Sequence, residues 1–274
     1  MLADPGVTCD SRAVPDDLSY DAIVTRLRAA GCVYAEDEAA HLLAAADAAD
    51  DLAALVARRV AGEPLEWVVG WAFFGTEDGE GIRVAVTPGV FVPRGRTIEL
   101  ALAALERLSP GDTLVELCCG SGAISAYLVD RVDDLDVWAA DIDPDAVASA
   151  QHNLPGARVV VGDLFEPLPP ALRGTVAVLV ANTPYVPSDQ VALMPAEARD
   201  HEPLHTLDGG PDGLALLRRI ASEASTWLRP GGSVLIEIAE SQFDAARVAF
   251  EAAGLVTSGL IDPDGTTVIV GLRS

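Results

Sequence analysis

In "VLVANTPYVPSD", residues 178–189, an apolar run stops at the primary amide of Asn182 and then meets Thr183, Pro184 and Tyr185. Val178, Leu179, Val180 and Ala181 suit a strand buried on both faces. Such a strand delivers a hydrogen-bonding side chain to its carboxyl end, followed by a stiff, proline-bounded turn. Three other strand-like segments end in residues with comparable potential. "DTLVELCCGSGA" carries Glu116, then Cys118, Cys119, Gly120, Ser121 and Gly122 at the opening of a helix; "DVWAADID" ends in Asp141 and Ile142; "ARVVVGDLF" ends in Asp163 and Leu164. In an open parallel sheet, ligands bind beyond these carboxyl ends, where the strand order reverses.

The chemistry of the four ends favours one class of ligand. Glycines let the backbone turn tightly and approach a bound molecule without a Cβ in the way. Asp141 lies about 20 residues past them, where a carboxylate can accept hydrogen bonds from both hydroxyls of a ribose. Asp163 and Leu164 are positioned to border a base. The glycine loop lacks the third glycine of a dinucleotide fingerprint, and no GxxxxGK is present. Glu116 would repel a pyrophosphate and favour a cationic or hydrogen-bond-donating group. S-adenosyl-L-methionine, with its sulfonium, ammonium and ribose diol, suits this acidic cleft better than NAD.

These residues need a scaffold, and the text of the chain supplies one. The first 66 residues read as a small helical domain: "SYDAIVTRLRAAG" offers Ser19 or Asp21 as a cap and Gly31 as a stop, and an alanine-rich stretch to Gly62 holds one or two more helices. Residues 67–93 read as a β-hairpin linker, with Phe73 and Phe74 before the turn and Ile82, Val84 and Val86 alternating after it. From 94 to 274 strand and helix alternate, which implies an α/β fold with a mostly parallel sheet wrapped by helices and a closing hairpin about "DPDG". His41 reads as a core or surface histidine of the helical domain.

Half of the 274 residues are hydrophobic, enough for a sizeable core. The net charge is −24, from 42 acidic and 18 basic residues, and every basic residue is arginine. Such a surface repels phosphate backbones and disfavours nucleic acid as a partner. The four cysteines, Cys9, Cys32, Cys118 and Cys119, form neither a CxxC pair nor a disulfide framework. With no signal-peptide pattern in "MLADPGVTCD" and no long apolar segment, a cytoplasmic protein without a membrane span is expected.

The segments "GEPLEWVVGWAFFG", "VFVPRGRTIEL", "VELCCGSGAI", "DIDPDAV", "GDLF", "VANTPYVP", "DHEP", "LDGGPDGL" and "LRPGGSVLIEIAESQ", in this order and spacing, resemble the protein-(glutamine-N5) methyltransferases of the HemK/PrmC type. The similarity runs from about Gly62 to the C-terminus. It implies a Rossmann-like, seven-stranded class I methyltransferase sheet over 94–274, and a helical domain able to recognise the substrate. The donor implied is S-adenosyl-L-methionine, with S-adenosyl-L-homocysteine as product and no metal. The acceptor implied is a glutamine presented by a protein, a peptide-chain release factor or a related translation protein. By this resemblance the donor would contact the 118–122 loop, Asp141, Leu164 and Asn182, and the glutamine would contact Asn182, Thr183, Pro184 and Tyr185.

An amide nitrogen is a poor nucleophile because its lone pair is delocalised. Two acceptors that hold both of its protons, the Asn182 side-chain oxygen and the Thr183 carbonyl, would aim the lone pair at the methyl group. Tyr185 would pack on the flat amide and shield it. The chain departs from the family at three places. Thr183 replaces the first proline of Asn-Pro-Pro-Tyr, Cys118 stands where the loop usually has its first glycine, and "PRGRTIEL" lacks the usual acidic residue after the proline-arginine pair. A divergent member is implied. The competing readings are an adenine-N6 amino-methyltransferase acting on nucleic acid, against which the net charge argues, and a binding module that has lost turnover. In "HEPLH", Pro203 blocks a helical pairing of His201 with His205, so no metal site is expected there; Glu202 and Pro203 would shape the loop near the site.

Overall fold

The computed structural model describes residues 16–76, 78–261 and 266–274. The stretch "MLADPGVTCD" with Cys9, and the "DPDG" turn at 262–265, lie outside them. The chain divides into two compact units, one ending at Val69 and the other beginning at Gly70.

The first unit holds α1 (Tyr20–Ala29), α2 (Ala35–Ala45), α3 (Ala49–Val60) and α4 (Leu65–Val69). Ser19 caps α1, its hydroxyl accepting from Ala22 N at 3.4 Å. Ile23, Leu27, Leu42, Leu52 and Val56 recur at helical spacing and close over one another as the unit's core. Between α2 and α3 a buried ion pair crosses this core: Arg59 Nε and Nη2 donate to the two Glu38 carboxylate oxygens at 2.6 and 3.1 Å.

The second unit opens with a hairpin, β1 (Trp71–Gly75) and β2 (Gly81–Ala85). Of the segment 67–93 read as a linker, Trp67–Val69 belong to α4 of the first unit, and the hairpin belongs to this one. Phe74 is fully buried and meets the Tyr127 ring edge-on at 5.8 Å. The Asn153 side chain pairs with both backbone groups of Ala85 at 2.9 Å and also donates to Ser121 O at 2.8 Å. One side chain thus ties the hairpin to the loop after the first sheet strand.

The sheet strands are β3 (Thr113–Leu117), β4 (Asp136–Asp141), β5 (Arg158–Val161), β6 (Val176–Ala181), β7 (Leu228–Ala239), β8 (Val256–Ile261) and β9 (Thr266–Leu272), in the order β5-β4-β3-β6-β7-β9-β8. The first five of that order run parallel; β9 alone is reversed, antiparallel to β7 on one side and to β8 on the other, so β8 runs in the same direction as the first five. Helices α5 (Ile98–Leu105) and α6 (Ala123–Val129) share a core with one face of the sheet. On the other side α9 (Ala215–Trp227) and α10 (Phe243–Ala252) do so, while α7 (Pro144–Asn153) packs near β4 and β5. Every residue of β6 is buried, as its unbroken apolar run requires. A short α8 (Ala196–His201), which has too few residues to show periodicity, is absent from the sequence reading. Helix α9 starts at Ala215 rather than Asp212 because Gly213 turns the chain at φ +75°.

Removing one partner of the Glu38–Arg59 pair leaves a buried charge uncompensated. Glu38→Ala is expected to destabilise the protein by about 3 kcal/mol, measured by urea unfolding of the helical signal; a loss below about 1 kcal/mol, typical of exposed pairs, would contradict the buried arrangement.

Candidate active site

Chain order reverses between β3 and β6, and a cleft of about 280 Å³ opens at the carboxyl ends of these strands. The register places Leu117 opposite Ala140 and Ala181, and Ala181 opposite Ile236. The next residues, Asp141, Cys118, Asn182 and Glu237, therefore stand in one row across the top of the sheet.

At the β3 end the backbone turns into α6 through three left-handed residues, Cys118 at φ +54°, Gly120 at +52° and Gly122 at +74°. Cys118 holds a backbone conformation that favours glycine, at a strain of about 1–2 kcal/mol for a residue with a Cβ. Its thiol and that of Cys119 are pushed up in pKa, mainly by burial and further by Asp141 for Cys118 and Glu116 for Cys119. Neither is a ready thiolate. A Cβ at Gly120 would meet nothing within 4 Å, so room lies beside the loop, whereas one at Gly122 would lie 2.8 Å from Leu154 Cδ1. Gly122, expected on the ligand side, serves helix packing instead, and Cys118, Cys119, Gly120 and Ser121 line the cleft.

Two acids hold this loop. Asp141 Oδ2 accepts from Gly120 N at 2.9 Å and Oδ1 from Asp143 N at 3.0 Å, which leaves each oxygen a second lone pair toward the cleft. Burial raises its pKa. Glu116, buried in β3, accepts at Oε2 from Ser125 N at 2.9 Å, and burial pushes its carboxyl up to about 7. Ile142, 61% exposed, and Leu164, held at φ +50°, give the cleft apolar walls, and Asp163 pairs with Arg219 at 2.8 Å.

Asn182 Nδ2 donates to Thr97 Oγ1 at 3.1 Å, and Thr97 is buried. That bond fixes the carboxamide and leaves Oδ1 without a hydrogen bond among the described residues. The Thr183 carbonyl likewise accepts none there. Two acceptors, one side-chain and one main-chain, thus stand uncommitted at the end of β6. The turn that carries them is clamped from behind: Gln242 Nε2 donates to Tyr185 O at 2.8 Å, and Cβ atoms at Gly209 and Gly213 would fall 2.5 Å from Pro184 O and 2.1 Å from Tyr185 O. The glycines of "LDGGPDGL" are therefore required by close backbone approach. Tyr185 Oη donates to Glu237 Oε1 at 2.9 Å and accepts from Arg96 Nη2 at 2.6 Å; burial, then Glu237, push its pKa up to about 12.

The sequence reading did not anticipate roles for Thr97, Arg96, Glu237 or Gln242. Glu237 had a legible signal, an acid inside the apolar strand "VLIEIA". Thr97, 85 residues from Asn182, had none. Glu202 shapes the loop as expected, receiving Arg94 Nη2 at 2.6 Å. His205 lies 3.5 Å from Asp143, and among the described residues no group of His, Cys, Asp and Glu could hold a metal and no helix is long and apolar enough to cross a membrane.

A family model described as a methyltransferase domain matches residues 114–201. Solved structures sharing the fold include a methyltransferase from Pyrococcus furiosus (TM-score 0.53, 17% identity, 70% of this chain and 88% of that one). Another is the 16S rRNA N2 G1207 methyltransferase of T. thermophilus (TM-score 0.55, 21% identity, 74% of this chain and 51% of that one). The Rossmann-like seven-stranded sheet is that of a class I methyltransferase. The chain belongs to the release factor glutamine methyltransferase family: it is 38% identical over 194 residues to the member from Streptomyces coelicolor (69% of this chain, 67% of the relative) and 34% identical over 224 residues to that from Geobacter sulfurreducens (80% and 76%). A relative from Streptomyces pristinaespiralis, 35% identical over 208 residues (73% and 69%), is named 4-amino-L-phenylalanine/4-methylamino-L-phenylalanine methyltransferase.

Two measurements test this geometry. Thr97→Val strands Asn182 Nδ2 without its acceptor and should lower kcat about tenfold, the worth of one such bond, with donor affinity little changed and Thr97→Ser restoring most of the rate; equal rates for Val and Ser would deny Thr97 a positioning role. Glu116 ionises near pH 7 folded and near 4.5 unfolded, so the folded state holds the extra proton and its stability falls as pH rises between those values. Glu116→Gln, free of this penalty, should gain on the parent from pH 5 to pH 8 by about 3 kcal/mol at most. Urea unfolding at both pH values reads the gain, and a pH-independent difference would contradict the buried acid.

Proposed function

We propose that this chain transfers a methyl group from S-adenosyl-L-methionine to N5 of a glutamine side chain in a protein, a peptide-chain release factor. Family membership supports the reaction, and the pair of uncommitted acceptors at Asn182 Oδ1 and Thr183 O is the observation that carries it. The chain's residues fit the donor: open space beside Gly120, lone pairs remaining on Asp141, apolar walls at Ile142 and Leu164, and the buried acid Glu116 opposite any cationic group. When bound, the donor supplies an electrophilic methyl on a sulfonium. Asp141 would hold the ribose hydroxyls, and Ile142 and Leu164 would flank the base.

The protein's own task is to make a poor nucleophile reactive. Asn182 Oδ1 and Thr183 O each accept one N–H of the glutamine amide, fix its plane and point its lone pair along one direction. Thr97 keeps the Asn182 amide from turning over, and Pro184 keeps Thr183 extended, so the missing first proline removes little order. No strong base is needed, since the nitrogen can release its proton to solvent after transfer. Tyr185, with its hydroxyl anchored to Glu237 and Arg96, presents its ring as a wall against water. The helical unit ending at Val69 is the candidate for recognising the partner protein. An adenine acceptor has the same planar amino group, but a chain of net charge −24 is poorly suited to a phosphate backbone.

Asn182→Ala should lower methyl transfer to a release factor by about 10²-fold or more, as loss of one preorganised polar group does in acyl transfer, while the donor's Kd changes less than about threefold. Label transfer and calorimetry measure the two; unaltered turnover rejects the role given to Asn182.

A further inference from the structure

Charge is divided within the cleft. Around the donor loop stand Glu116, Asp141, Asp143 and Asp163, the last of them paired with Arg219; at the acceptor end stand Arg94 and Arg96. Each of these arginines rests on a carboxylate sealed beneath it. Arg94 lies 2.6 Å from Glu202, with side-chain exposures of 28% and 1%, and Arg96 lies 3.3 Å from Glu237, with exposures of 53% and 1%. Each pair is neutral, but its anion is buried and its cation faces the cleft. The acceptor end therefore presents the positive side of two oriented dipoles, in a chain whose net charge is −24.

Arg96 has capacity left over. Its Nε and Nη2 bond to Tyr185 Oη at 3.1 and 2.6 Å, and Nε also to Glu237; Nη1 has no hydrogen bond among the described residues. A half-exposed guanidinium with an uncommitted edge matches a carboxylate in shape and charge. Its position is tied to the acceptor turn through the Tyr185 hydroxyl. The segment that carries it, "PRGRT" at 93–97, holds no acidic residue that could take up that free edge.

We propose that Arg96 is a specificity-determining residue whose free edge binds a carboxylate of the acceptor segment. The preferred acceptor is then a glutamine with a carboxylate close by, either the side chain of a neighbouring Asp or Glu or the terminal carboxylate of a chain that ends just after the glutamine. This rests on the glutamine reading of the acceptor site.

The test uses the full chain, labelled donor and short peptides with a single glutamine. Three are flanked by Asp, Asn or Lys; two end one residue after the glutamine, with a free or an amidated terminus. Transfer gives kcat and KM separately, and fluorescence anisotropy with S-adenosyl-L-homocysteine present gives peptide affinity. The expected result is about a tenfold advantage in KM and Kd, the scale of a charge-assisted contact, for Asp over Asn, for the free over the amidated terminus, or for both; which arm responds identifies the source of the carboxylate. Arg96→Gln loosens the Tyr185 anchor and lowers the rate with every peptide, but it should bring the Asp and Asn peptides to one KM, whereas Arg96→Lys, which keeps the charge, should retain part of the advantage. Equal KM for charged and neutral peptides, or a preference that survives Arg96→Gln, overturns the proposal. Failure of the glutamine reading looks different: no peptide and no release factor takes up label, and the proposal falls with it.

Discussion

Orientation of one carboxamide governs the acceptor half of the cleft. An asparagine amide has two chemically different ends of nearly equal size, and it can present an acceptor only if its nitrogen is engaged elsewhere. Thr97 Oγ1 engages it from the 3₁₀ turn Gly95–Thr97 that leads into α5, while β6, buried along its whole length, fixes the backbone below. Behind the turn, Gln242 and the glycines at 209 and 213 press against the carbonyls of Pro184 and Tyr185. Without that backing the turn would be a loop with two polar groups; with it, two acceptors keep one relative position.

The donor half follows a different rule. There, carboxylates are placed where burial opposes their ionisation, and backbone N–H groups compensate for part of the loss. Glu116 receives the Ser125 N–H and Asp141 receives two others, so each acid both organises the start of α6 or α7 and faces the cleft. The same loop tolerates Cys118 in a left-handed conformation. The residual strain is small against the hydrogen bonds and packing on either side, from Asp141 to Gly120 and from Gly122 to Leu154.

The departures from the family are unequal in consequence. At Thr183 the acceptor of interest is a main-chain oxygen, which any residue supplies, and Pro184 still restricts the preceding backbone. At Cys118 the backbone keeps the glycine-like turn. In the segment at 93–97 the change is one of charge: Arg96 links Tyr185 to Glu237 and turns its guanidinium to the cleft.

Much was decided locally and could be read from the residues alone. Apolar runs leading to Glu116, Asp141 and Asn182 marked three strand ends, because a strand buried on both faces must be continuous in hydrophobicity and can carry polar groups only where it emerges; the third strand, read as running to Asp163 and Leu164, stops at Val161 because Gly162 opens a turn that carries those two residues. Glycine positions and helix caps were legible for the same local reason, Gly213 and the short α8 being the places where that reading stopped short. What only the tertiary structure decided is which distant side chains meet at the row formed by Asp141, Cys118, Asn182 and Glu237. The register of β3, β4, β6 and β7 sets that row, and register depends on how whole strands pair rather than on any short window. Thr97 beside Asn182, Arg96 beside Tyr185, and Gly122 turned toward Leu154 instead of the cleft are consequences of pairing and packing across 32 to 89 residues of chain, distances over which a single sequence carries no phase.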